Sequence, residues 1–168
     1  VDTNQDFIIP FKGLNTGNHH YLFEIGDAFF ESFEYFDTEK GTAKVDLDFL
    51  KESNLLDLHF NITGSLKLAC DRCLKEYNHA INGSFRLIIK LGEEYAEESD
   101  EVIVIPHTES RLDVGQYIYE YINLLLPLQR AHSNIEDCDQ EVINKLDAHS
   151  KQENDPRWEA LKNIKLEK

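Results

Sequence analysis

The chain has 168 residues, with 17 Lys and Arg against 32 Asp and Glu, a net charge of −15, and 41% hydrophobic side chains. That length suits one domain, or one domain with a helical appendage, and lets folding bury ~70% of the unfolded surface. The charge disfavours non-specific attraction to bare polyphosphate. Three cysteines cannot all pair within one chain, and no apolar run approaches the ~20 residues of a membrane span, so the expectation is a soluble, cytoplasmic protein with no membrane partner.

In chain order, residues 1 to 36 carry Phe7-Ile8-Ile9-Pro10-Phe11, Tyr21-Leu22-Phe23-Glu24-Ile25 and Ala28-Phe29-Phe30, punctuated by Gly13, Asn15, Gly17 and Asn18, which predicts short strands. Val45, Leu47 and Phe49 alternate with Lys44, Asp46 and Asp48, giving another strand. Alternation is strongest next. Leu56, Leu58, Phe60, Ile62, Leu66, Leu68 and Cys70 share one parity, and Ile81, Phe85, Leu87, Ile89 and Leu91 share another, so Cys70-Asp71-Arg72-Cys73 sits at a turn between two half-buried strands. From Ser65 to Lys90, the basic residues Lys67, Arg72, Lys75, Arg86 and Lys90 are opposed only by Asp71 and Glu76. Solvated strand positions are the plain reading of each. The functional one is a basic island, with Lys67, Arg72, Lys75 and Arg86 as candidates for local contact with nucleic acid.

Residues 93 to 101 hold six carboxylates in nine positions, which predicts a mobile, exposed loop through self-repulsion, with docking to a basic partner as its functional alternative. Catalytic carboxylates need partly apolar pockets that separate their pKa values, and this run offers little apolar company. Val102-Ile103-Val104-Ile105 reads as a buried strand ended by Pro106. Leu112, Val114, Tyr117, Ile118, Tyr121, Ile122 and Leu125 then follow three- and four-residue spacing, predicting a helix over 111–126 that Pro127 ends. Residues 139 to 154 are polar, a weak helix or linker. Asp155 and Pro156, followed by Trp158, Leu161 and Ile164 on one stripe, predict a short amphipathic helix. The expected architecture is α+β: a β-rich domain over 1–138, whose antiparallel sheet is open or barrel-like and packed by helix 111–126, and then a linker and short C-terminal helix over 139–168.

A turn can bring two cysteines two residues apart onto one tetrahedral metal, which needs two further ligands. The only other cysteine, Cys138, follows His132 closely enough for one loop to present both. The sequence therefore suggests a structural Cys3His zinc site of Cys70, Cys73, His132 and Cys138. The plain alternative makes Cys70 and Cys73 small buried hydrophobes and Cys138 an incidental thiol. A redox Cys-x-x-Cys expects a strand-to-helix junction, which strands on both sides do not offer. Four protein ligands close a zinc site, which argues against a metallohydrolase and for a protein that is not an enzyme. Arg72, between two expected ligands, cannot point the same way as both.

Four stretches carry a family likeness in order: Cys70-Asp71-Arg72-Cys73-Leu74 after a strand; Leu112-Asp113 before a helix closing in Leu124-Leu125-Leu126-Pro127; His132 through Cys138; and Asp155-Pro156-Arg157-Trp158-Glu159-Ala160-Leu161-Lys162. Through them the chain resembles the YceD family of large ribosomal RNA subunit accumulation proteins, over about residues 60 to 168. The resemblance implies a bacterial, cytoplasmic, non-enzymatic protein needed for accumulation or processing of large-subunit ribosomal RNA, and places Cys70, Arg72, Cys73, His132 and Cys138 at the family's cysteine and histidine positions. The chain departs from it at Arg130, where a second proline is common, and at Glu120, where the family often carries a pair of acids. The expected function is a ribosome-assembly factor with a zinc-stiffened platform, binding large-subunit ribosomal RNA or a basic ribosomal protein and no small-molecule substrate. The alternative is a zinc-stabilised protein-interaction module or an acidic chaperone of a basic ribosomal protein.

Overall fold

The computed structural model describes residues 7–33 and 40–150. In chain order its elements are β1 (Ile8–Ile9), a single 3-10 turn at Phe11–Gly13, β2 (Gly17–Ile25), α1 (Asp27–Glu31), β3 (Gly41–Lys51) and β4 (Leu55–Ala69). These are followed by β5 (Glu76–Gly92), β6 (Ala96–Ser99), β7 (Val102–Pro106), β8 (Leu112–Asp113), α2 (Gly115–Leu124), a second 3-10 turn at Ile135–Asp137 and α3 (Gln140–Ser150). Among the described residues, no helix is long and apolar enough to cross a membrane.

The alternating runs become the centre of a six-stranded sheet ordered β2-β3-β4-β5-β7-β6. Across β3 and β4 the register sets Val45 opposite Ile62, Leu47 opposite Phe60 and Phe49 opposite Leu58, and all six side chains are fully buried. Burying each contributes ~1.5–3 kcal/mol, so this one face anchors the register. Gly64 permits the close approach of β3: a Cβ there would lie 2.7 Å from the Cα of Ala43 and press on the carbonyl of Thr42.

Barrel closure does not occur. Among the described residues the sheet is open, with β2 and β6 as edges. Nor is it wholly antiparallel, since β7 runs parallel to β5, with Ile88 opposite Val102. The acidic segment expected as a loop makes this possible by forming β6, antiparallel to β7, with all its side chains exposed. Strand pairing uses the backbone, so the carboxylates remain in water, and Lys90 Nζ meets Glu98 at 2.5 Å.

Two further boundaries differ from expectation. Ala28-Phe29-Phe30 lies in α1, not in a strand, and both phenylalanines are buried. Adjacent residues of a strand face opposite sides, whereas a helical turn can bury both in one core. The long helix begins at Gly115, because Leu112 and Asp113 pair with Ile9 and Ile8 as β8. Asp113 Oδ1 then accepts the Gly115 N–H at 2.8 Å. α2 buries Ile118, Tyr121 and Ile122, with Tyr121 stacked on Phe85 of β5 at 4.4 Å and edge-on to Phe60 of β4 at 5.2 Å.

The chain divides into two compact units, one drawn from Val1–Leu68 and Glu76–Leu128, the other from Ala69–Lys75 and Gln129–Lys168. The first holds the sheet and α2. The second holds the cysteine turn, the 3-10 turn at Ile135–Asp137 and α3. α3 answers to the weak helix or linker expected over 139–154. The expected helix at Asp155, Pro156 and Trp158 lies outside the described residues.

Candidate metal centre

The first half of the centre is the turn after β4. Cys70 N–H donates to Lys75 O at 2.9 Å, and Leu74 N–H donates to Cys70 O at 2.7 Å. Leu74 takes the left-handed conformation, with φ of 62°, and leaves its side chain in water. That conformation is uncommon for a branched residue and is held by the hydrogen bonds around it.

The second half is the segment leading into α3. Cys138 N–H closes the 3-10 turn onto Ile135 O at 3.2 Å, and Gln140 Nε2 donates to Ile135 O and to Cys138 O, both at 3.0 Å. Asp139 Oδ1 accepts the Glu141 N–H at 2.9 Å, capping α3. Polar bonds within the unit tie the halves together. Asp71 N–H donates to Arg130 O at 2.6 Å, and Arg130 N–H returns to Asp71 Oδ2 at 2.9 Å. Lys75 Nζ lies 3.1 Å from Asp139 Oδ2.

The result is a convergence of Cys70, Cys73, His132 and Cys138, whose ligand atoms all lie within 4.8 Å of one another. Sγ of Cys70 is 4.0 Å from Sγ of Cys138, and His132 Nδ1 is 3.6 Å from Sγ of both Cys73 and Cys138. Tetrahedral zinc with bonds of ~2.3 Å to sulfur and ~2.0–2.1 Å to nitrogen separates sulfurs by ~3.8 Å and sulfur from nitrogen by ~3.6 Å. The Cys70–Cys138 sulfur separation and the two sulfur–nitrogen separations are close to these values. All three cysteines are free and buried, and a disulfide needs sulfurs ~2.05 Å apart. Burial pushes the Cys70 thiol up, but hydrogen bonds from the backbone of His132, Arg72 and Cys73 and from the His132 ring outweigh it and bring it to about 6. Burial pushes Cys138 up to about 11, and the neighbouring thiols Cys70 and Cys73 add to that. A thiolate already favoured at Cys70, beside a Cys138 thiol that resists a second negative charge, is a donor set suited to a cation.

The basic residues fare differently. Arg72 Nη2 donates to the backbone carbonyl of His132 at 2.8 Å. Arg86 forms a two-pronged bond with Asp57, at 2.9 and 2.7 Å. Lys75 meets Asp139 and Lys90 meets Glu98. Lys67 is exposed on β4. Counting charges only from 65 to 90 left out Asp57, Glu98 and Asp139, which fold back onto that stretch. Lys67 and Arg86 belong to the sheet unit, Arg72 and Lys75 to the other.

Sequence reasoning missed the supports of the centre: Asp71, Arg130, Asp139 and Gln140. Only Asp139, just ahead of a helix, carried a readable signal, that of an N-cap. A second group, His20, Asp46 and Asp48, is an ordinary cross-strand set on β2 and β3, with His20 Nε2 at 2.7 Å from Asp46 Oδ1 and both of these side chains about half in water.

The family described as Large ribosomal RNA subunit accumulation protein YceD matches residues 58–165, more than half of the chain and all four residues of the cluster. Neither the curated proteins nor the solved structures compared with the chain give a match.

Proposed function

The chain belongs to the YceD family of large ribosomal RNA subunit accumulation proteins, and on that premise we propose that it is a cytoplasmic, non-enzymatic factor in the accumulation or processing of large-subunit ribosomal RNA. The match over residues 58–165 is the observation that carries this reading. The Cys70, Cys73, His132 and Cys138 cluster serves it as a structural zinc site. Three sulfurs and one imidazole nitrogen within 4.8 Å of one another support that assignment, and four protein ligands leave zinc no open position for a substrate. Lys67, Arg72, Lys75 and Arg86 are the groups proposed to meet phosphate, locally and in a salt-dependent way. Co-sedimentation with large-subunit precursors tests the role, and the zinc content of the purified protein tests the site. The expected results are co-migration with precursors and about one zinc per chain, abolished in Cys73→Ser. Migration with free protein under all conditions rejects the ribosomal role.

A second reading is favoured by the net charge of −15 and by the intramolecular partners of Arg72, Lys75 and Arg86. Here the chain escorts a basic ribosomal protein, and RNA contact is indirect. Capture of ribosomal partners that survives ribonuclease treatment selects this version, and loss on treatment selects the first.

A further inference from the structure

Within the sheet unit, residues of β5, β6, β7, β8 and α2 line a cavity of about 490 Å³. That volume lies in the range of pockets that take small groups. Among the described residues five acids line it, Glu97, Glu98, Asp100, Asp113 and Glu120, and no lysine, arginine or histidine does. Glu98 is neutralised by Lys90, and Asp113 is engaged by the Gly115 N–H. Glu97 and Glu120 are held by neutral donors instead: Tyr95 Oη donates to Glu97 Oε1 at 2.8 Å, and Gln116 Nε2 donates to Glu120 Oε1 at 2.8 Å. Oriented carboxylates without a cation are an unfilled electrostatic demand.

An independent observation comes from Tyr121, which also lines the cavity and is only 8% exposed. Its ring is fixed between Phe85 and Phe60, yet among the described residues its hydroxyl has no hydrogen-bond partner. No enclosed polar atom in the described residues lacks a partner, so this hydroxyl must open to solvent, and the cavity is the space the residue lines. Tyr117 lines the same space, and among the described residues its hydroxyl has no hydrogen-bond partner. Burial, together with Glu120 and the neighbouring phenol or acids, pushes both hydroxyls up to about 12. Burial is the larger cause and disfavours any charge; the smaller part, from Glu120 and the other acids, has the sign that favours a cation.

We infer that this cavity is a binding site for an arginine side chain presented by a basic polypeptide. A guanidinium is planar, always charged and rich in donors, so it can lie on a tyrosine face while pairing with Glu97 and Glu120 and donating to the Tyr121 oxygen. The carboxylates repel a phosphate, which sets RNA aside as the occupant. This site gives the second functional reading a place to grip its partner. It rests on that reading only for the partner's ribosomal origin, which a peptide assay does not involve.

The test is calorimetric titration of the full chain with a short blocked arginine-glycine peptide, the same peptide with citrulline for arginine, and spermidine. The arginine peptide is expected to bind and the citrulline peptide not to. Glu97→Gln with Glu120→Gln should weaken binding about tenfold, and Tyr121→Phe, which keeps the ring stack, about fivefold. A charge-matched control, Glu24→Gln with Glu31→Gln, should change it by less than about twofold. Circular dichroism melts verify that each variant folds, and the exposed glutamate pair keeps the test decisive if Tyr121→Phe does not. No binding, or equal weakening by the control pair, overturns the site. Spermidine binding as tightly as the peptide overturns the polypeptide assignment. A positive peptide result with no capture of ribosomal proteins leaves the site standing and rejects the ribosomal origin alone.

Discussion

Asp57 is the one charged residue buried among those described, and its environment makes a pH signature legible. The Arg86 hydrogen bonds hold its carboxyl below the usual aspartate range against the opposing effect of burial, with His59 adding to the attraction. A carboxyl depressed in the folded state contributes stability that is present above the unfolded value of ~3.9 and lost as pH falls through the folded value. Arg86 is about half exposed, so solvent screens part of the gain. Asp57→Asn should therefore melt at a temperature that falls less steeply than the parent's below pH ~4. Parallel declines would remove Asp57 from the acid response. Arg72 makes a second residue-level case. Because it donates to the His132 carbonyl, Arg72→Ala should cost about 1 kcal/mol of stability, read as a lower urea midpoint. Arg72→Glu should do at least as much, so loss of RNA association in that variant needs this stability control. An unchanged midpoint in Arg72→Ala would show the guanidinium to be free for a partner.

Among the elements, α3 rests on Asp139, which uses one carboxylate oxygen to cap the helix and the other to meet Lys75. The two roles can be separated. Asp139→Ala removes both and should lower stability, while Asp139→Asn keeps a capping oxygen and should lower it much less. If Asn proves as damaging as Ala in denaturant titrations, the ion pair and not the cap holds the helix start. The strands were more legible than this helix, because alternation in Val45, Leu47 and Phe49 or in Leu58, Phe60 and Ile62 is a local property with a period that only a sheet satisfies. β6 was not, since nothing in Ala96 to Ser99 is buried and its place depends on β7 offering an edge. β8 was missed for a related reason: Leu112 fits a helical stripe, and only the distant Ile9 turns it into a strand. The spacing of Cys70, Cys73, His132 and Cys138 pointed to their convergence. The bonds from Asp71, Arg130 and Gln140 that hold them join backbone to side chain and follow no sequence spacing.

At the scale of the whole molecule, the two units are stabilised by different means. The sheet unit has an apolar core in Leu47, Phe49, Leu58, Phe60 and their neighbours. In the other unit, Cys70, Cys73 and Cys138 are the only buried side chains among the described residues. Three thiols offer too little apolar surface to order a segment by themselves, which is the circumstance in which a structural metal does the stabilising. With ligands 68 positions apart from Cys70 to Cys138, an ion would also close a long loop. Withdrawing zinc with a chelator should therefore speed hydrogen exchange at the amides of Leu74, Cys138 and Ile143, whose bonds lie in that unit, while β3 and β4 stay protected. Cys73→Ser and Cys138→Ser should each reproduce the pattern, and the double variant should be little worse than either, since both remove one site. Exchange at those amides that is equally slow with and without the metal would sink the structural role of zinc. Loss of protection throughout the sheet would instead show that one core serves both units, with the four ligands as its keystone.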